Sequence, residues 1–204
     1  MCWHVNGGIM GKIDYHFVSR ALLGPPTECG DTGIIKVYDN MCFLGLVDAL
    51  GHGQEAYRIA SLAREYLELN FRNDLPVMMR GLHEHLRGTR GGVAALCRMN
   101  INTGDLAYTG IGNITVKIMG PRAFTFVARD GVIGYMMPSP QEHRRRLYSG
   151  DILLMHSDGI REHIDPLDCI GLFNGTAESI ANGLLERFSK KDDDASCITL
   201  RYQA

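Results

Sequence analysis

Apolar residues recur along this chain in three rhythms. Met41-Cys42-Phe43-Leu44-Gly45-Leu46-Val47 and Ile152-Leu153-Leu154-Met155 are short unbroken apolar runs, which predict buried strands. Residues 54–71 place Ala56, Ile59, Ala60, Ala63, Leu67 and Phe71 at helical spacing and predict an amphipathic helix. A second helix is expected from a cap at Asn73-Asp74-Leu75-Pro76 to about residue 86, and a third over 176–189 with Thr176 as its N-cap. His83 and His85 fall on the second helix and are expected at its surface. Further strands are expected over 13–22, 34–38, 93–99, 106–110, 114–119, 123–128, 144–148 and 195–202. Turn residues separate them, and 23–27, with its Gly24-Pro25-Pro26, is another turn. The short strands from 93 to 128 predict an antiparallel meander.

The segments 34–38 and 41–47 flank Asp39-Asn40 and read as a hairpin. Asp31 stands just before the first arm and Asp48 just after the second. Arms of similar length that run antiparallel bring these two carboxylates, seventeen residues apart, to one rim of a sheet. Many short strands with helices grouped between them predict an α+β fold: two antiparallel sheets packed together with helices outside. No boundary divides the chain, so one domain over 1–204 is expected.

Composition narrows the function classes. Apolar residues are 45% of the chain, enough for a globular interior, and the net charge is −2. That balance leaves no electrostatic footprint for nucleic acid and no basic run for a membrane surface. No apolar stretch is long enough to span a bilayer, and the first residues lack a secretory pattern. Six cysteines are scattered without a Cys-x-x-Cys pair, and Cys42, Cys97 and Cys197 sit inside apolar strands. A reduced, cytoplasmic protein is expected, with neither a zinc ribbon nor a disulfide framework.

The chemistry lies in the acids. Asp48 ends a buried strand and is followed by Gly51 and Gly53, which allow a tight turn and the close approach of a ligand. A buried carboxylate costs several kcal/mol, roughly, unless a cation or strong donors satisfy it. Asp31, Asp48, Asp158 and Asp193 each stand at the end of a predicted strand. Oxygen ligands without nearby Cys or clustered His favour Mg²⁺ or Mn²⁺, and four acids suit two ions better than one. A pair of such ions activates water and stabilises a phosphoryl transition state.

With these pieces in place the chain resembles the metal-dependent protein phosphatases of the PPM, or protein phosphatase 2C, superfamily in their bacterial SpoIIE-like branch. The matching residues are Gly30-Asp31, Val47-Asp48-Ala49-Leu50-Gly51-His52-Gly53, 150–160 with its Ser157-Asp158-Gly159, and Asp193-Asp194-Ala195-Ser196, in the family's order. The resemblance implies a four-layer α-β-β-α sandwich and two ions, Mn²⁺ or Mg²⁺. It implies that Asp48 bridges the metals, that the Ala49 carbonyl binds one, that Asp158 and Asp193 hold the second, and that Asp31 reaches a metal directly or through water. A metal-bridging water would attack a phosphoserine or phosphothreonine. The small size is similar to that of the family's stand-alone stressosome phosphatases, which implies a phosphorylated STAS-domain or other stressosome protein as partner. The chain departs from the animal enzymes where they carry a His two residues after the bridging Asp. Leu50 stands there, and His52, two further on, or a water is the candidate general acid. The Gly110-Ile111-Gly112-Asn113 segment lacks an acid common in the family, which counts against a third metal.

Blander readings exist for each residue. Asp158 is also a plausible turn residue, Asp31 a turn cap, His52 a helix-start histidine, and Asp192-Asp193-Asp194 a solvated charge run. The segment 51–56 fits Gly-x-Gly-x-x-Ala, but a dinucleotide site needs a parallel strand after the helix, and here a second helix follows. The other class open is a phosphatase-like module that binds a phosphoprotein without turnover. Four metal-suited acids argue against it.

Overall fold

The computed structural model describes residues 5–10, 12–22, 28–161 and 171–204. In chain order the elements are β1 (Val5–Met10), β2 (Ile13–Arg20), β3 (Asp31–Tyr38), β4 (Met41–Ala49), α1 (Gln54–Asn70), α2 (Leu75–His85), β5 (Gly92–Asn100), β6 (Asp105–Ile111), β7 (Thr115–Met119), β8 (Phe124–Phe126), β9 (His143–Arg146), β10 (Ile152–His156), a 3-10 turn (Leu172–Asn174), α3 (Ala177–Phe188) and β11 (Ala195–Tyr202). One sheet has the order β1-β2-β11-β10-β7-β8 and the other β3-β4-β5-β6-β9. Every pairing between these strands is antiparallel.

Side-chain alternation explains the layers. Along β4, Leu44 and Leu46 face the core between the sheets, where they meet Phe17, Tyr108, Met155 and Ile198. Phe43 and Val47 point the other way, into a second core beneath α1 and α2 with Ile59, Leu67 and Met79. A third core lies under α3, where Val18, Leu154 and Cys197 meet Ile180 and Leu184. Both faces of the central strands are therefore buried, and that is why β4 and β10 read as unbroken apolar runs rather than alternating ones. Each large apolar side chain contributes about 1.5–3 kcal/mol on burial, so the strand ends that carry the acids are held on a stiff frame. The result is the expected α-β-β-α sandwich. Among the described residues no helix is long and apolar enough to cross a membrane.

Three expectations need correction. The strands from 93 to 128 do not form one meander: β5 and β6 pair in one sheet, whereas β7 and β8 belong to the other. The chain changes sheet at 112–114, where Gly112 has φ 96°. Periodicity sees strands and turns but not which sheet a strand joins. His83 is buried, not exposed, and its Nδ1 accepts a hydrogen bond from the Gly134 amide at 3.0 Å. The strand β1, absent from the sequence reading, pairs with β2 at the sheet edge. The turn expected at 23–27 lies outside the described residues. Thr176 caps α3 as expected, its Oγ1 accepting from the Ser179 amide at 3.2 Å.

Candidate metal centre

The β3–β4 ladder sets Asp31 directly opposite Asp48. Immediately after β4, Gly51 and Gly53 take φ values of 95° and 79°, a backbone that side chains other than glycine adopt only with strain, and α1 begins at Gln54. From the other sheet, His156 at the end of β10 pairs with Cys197 of β11 and Thr115 of β7. That register carries Asp158 just past β10, Asp193 just before β11 and Asn113 just before β7 to the same end of the sandwich.

There they open on one cleft of about 440 Å³, lined by Asp48, Gly51, His52, Asn113, Asp130, Asp158 and Asp193 among others. Asp158 Oδ2 accepts from the Asn113 amide nitrogen at 2.8 Å. Asp193 stands within hydrogen-bonding reach of Asp158. Burial, and after it the negative charges of Asp31, Asp158, Asp193 and Asp194, push the Asp48 carboxyl far above the usual carboxylate range. Burial raises Asp193 too, helped by the Asp158 charge.

Two predicted ligands do not line the cleft. Asp31 lies beneath it, only 5% exposed, with Oδ2 accepting a 2.6 Å hydrogen bond from Ser157 Oγ. Burial raises its pKa against the lowering effect of hydrogen bonds from Ser157 and Ser196. Asp31 also borders a separate pocket with Ser19, Cys29, Tyr57 and Arg64. Ala49 is fully buried; its carbonyl oxygen lies beside Gly30, where an added Cβ would meet it at 3.3 Å and Asp194 Oδ2 at 3.2 Å.

The aspartate run sorts by geometry. Asp192 is exposed and Asp193 faces the cleft. Asp194 is buried and turned inward: Oδ1 accepts from the Leu22 amide and Oδ2 from the Gly30 amide, each at 2.6 Å. Its carboxylate is thus spent on holding the strands together. Sequence reasoning missed Asn113, Ser157 and Asp194 as positioning groups, although the first two flank motif residues. Nothing in the sequence singled out Asp130, which reaches the cleft from the loop between β8 and β9.

The donors facing the cleft are mainly carboxylate oxygens, with His52 and Asn113 beside them and no thiolate among the described lining residues, which fits a hard divalent cation. Among the described residues no three His, Cys, Asp or Glu side chains close into a ready-made ligand set. The acids are spread around an open cleft, an arrangement suited to ions such as Mg²⁺ that retain several waters. A cation beside Asp48 would offset the like charges that, after burial, raise its carboxyl.

Residues 39–203 match the family profile of stage II sporulation protein E (SpoIIE). The chain is 24% identical over 174 residues to the phosphoserine phosphatase RsbX of Bacillus subtilis (strain 168), covering 81% of this chain and 83% of RsbX. The crystal structure of RsbX in complex with magnesium has the same fold, with a TM-score of 0.85, 19% identity and 100% of both chains covered. A chain from the bacterial stressosome, a modular system adapted to control secondary messenger signalling, has a TM-score of 0.86 at 35% identity, over 93% of this chain and 100% of its own. The catalytic domain of the serine/threonine phosphatase PstP, in complex with 2 manganese ions, has a TM-score of 0.71 at 14% identity, over 95% of this chain and 99% of its own. The profile match takes in β4 to β11 and all three helices, and the chain belongs to the SpoIIE family of PP2C-type phosphatases.

Proposed function

We propose that this protein is a metal-dependent phosphatase that hydrolyses phosphoserine or phosphothreonine on a stressosome protein, with a phosphorylated STAS-domain protein as the substrate. The observation that carries this reading is the meeting of Asp48, Asp158 and Asp193 on one cleft, with Asp48 driven toward protonation by burial and by the charges of its neighbours. The likeness to RsbX and to the stressosome chain supports the substrate class and a cytoplasmic setting.

In this reading Asp48, Asp158 and Asp193 would hold the ions from the cleft. Asp31, directly or through water, and the Ala49 carbonyl would complete their hold from beneath the cleft. Bound Mn²⁺ or Mg²⁺, two ions in this reading, would neutralise the phosphoryl oxygens and lower the pKa of the attacking water. The chain's own part is placement. Asn113 fixes one oxygen of Asp158, Ser157 fixes one of Asp31, and Asp194 anchors the loop that presents Asp193. His52, exposed at the cleft, would give a proton to the leaving oxygen in this reading.

The test is hydrolysis of p-nitrophenyl phosphate and of a phosphorylated STAS-domain protein with Mn²⁺, repeated with a chelator. Turnover that chelation stops is expected. Phosphoprotein binding without turnover under any divalent metal would instead make the chain a binding module.

A further inference from the structure

We infer that Arg90 is a phosphate-binding residue of this cleft, gripping the phosphoryl group from the rim beside the Gly51 turn. The inference rests on the phosphatase reading for its substrate class.

Charge balance is the first observation. Asp48, Asp130, Asp158 and Asp193 line the cleft, and neither Lys nor Arg is among the described lining residues. Two divalent cations would offset those four charges and leave little for an incoming phosphomonoester dianion. A further cation at the rim lowers the electrostatic cost of its entry.

Position is the second. An added Cβ on Gly51, itself a lining residue, would meet the Arg90 Nη1 atom at 3.2 Å. The guanidinium therefore lies over the cleft's own turn. It is exposed, and among the described residues it makes no hydrogen bond or ion pair. Arg98 and Arg129, by contrast, are engaged. Arg98 donates to the Phe71 and Asn73 carbonyls, and Arg129 donates to the Ser139 carbonyl.

Rigidity is the third. The Leu50 amide donates to the Gly91 carbonyl at 2.9 Å, tying the Arg90 turn to the Asp48 turn. The Gly92 amide donates to the Ile133 carbonyl at 3.1 Å, and the Gly91 amide donates to Thr89 Oγ1 at 3.0 Å. Gly91, at φ 75°, packs against the Ile133 carbonyl so closely that a side chain there would collide with it. The backbone beneath Arg90 is thus fixed before a ligand arrives, so only side-chain freedom is lost on binding. A planar guanidinium matches a phosphate in a two-bond fork, which a lysine does not.

The experiment compares wild type, Arg90→Ala, Arg90→Lys and Arg90→Gln. Inorganic phosphate is titrated calorimetrically into the Mn²⁺-loaded protein, and KM and kcat for p-nitrophenyl phosphate are measured beside it. Loss of a charge-assisted pair predicts phosphate binding and KM about 10- to 100-fold weaker in Arg90→Ala. Arg90→Lys recovers part of this, and the Mn²⁺ concentration for half-activation stays unchanged. Arg90→Gln keeps the side chain's length and carries the test if Arg90→Ala does not fold. Phosphate affinity unchanged in a folded Ala or Gln variant overturns the inference. A wild type that hydrolyses nothing but binds phosphate through Arg90 overturns the phosphatase reading instead.

Discussion

Replacing Asp194 and Asp193 one at a time should separate support from ligation within a single aspartate pair. Asp194 is 4% exposed, and both its oxygens accept backbone amides at 2.6 Å, from Leu22 and from Gly30. Hydrogen bonds to a charged acceptor contribute about 1.5–3 kcal/mol each. Truncation to alanine removes two of them, so Asp194→Ala should lose about 3–6 kcal/mol, a large part of a typical domain's stability. Asp193 is half-buried, and its Oδ1 accepts the Asp194 amide at 2.9 Å. Its removal also relieves repulsion with Asp158, so Asp193→Ala should change the stability of the metal-free protein by no more than about 1 kcal/mol. Urea unfolding of the metal-free variants gives both numbers, and Mn²⁺-dependent hydrolysis gives the other half of the comparison. Asp193→Ala should be stable and inactive. A stable, inactive Asp194→Ala beside an active Asp193→Ala would reverse the assignment and refute the reasoning.

Asp48→Asn should abolish Mn²⁺-dependent hydrolysis while raising the melting temperature of the metal-free protein, because an amide there needs neither the bound proton nor the charge that burial and the neighbouring acids make costly for the carboxyl; a variant with wild-type turnover would refute the site. The pH dependence follows from the same crowding. Asp31 is pushed up to about 7 and Asp48 up to about 9, from about 3.9 in the unfolded chain, so the folded state holds protons that the unfolded state releases. Stability from these groups is complete below about pH 4 and falls as pH rises through 7 and 9. The metal-free melting temperature should therefore drop between about pH 5.5 and 8.5, and the rise on adding Mn²⁺ should grow over the same interval; a flat metal-free profile would contradict this. Gly159→Ala should prevent stable folding, since a Cβ there would collide with the Asp194 carbonyl, and a soluble variant with a wild-type melting curve would contradict that packing.

The hairpin that pairs Asp31 with Asp48 was legible because its arms are apolar, of similar length and joined at Asp39-Asn40. Most elements were legible for the same reason: the central strands bury both faces and the helices bury one. The inter-sheet step between β6 and β7 was not, because a sheet change leaves no periodic mark. Burial of His83 depends on the loop carrying Gly134, far away in sequence. The roles of Asp193 and Asp194 look alike in a run of three acids, and only the amides of Leu22 and Gly30 tell them apart. Asp130 and Arg90 lie in loops whose proximity to the cleft comes from tertiary packing alone.

Calorimetric titration of Mn²⁺ into the metal-free wild type and Asp48→Asn proteins bears most directly on the claim that these acids form a cation centre. The account predicts saturable binding by the wild type, with a stoichiometry near two, and its loss or strong weakening in Asp48→Asn. Equal binding by the two proteins, or none by the wild type, would contradict it.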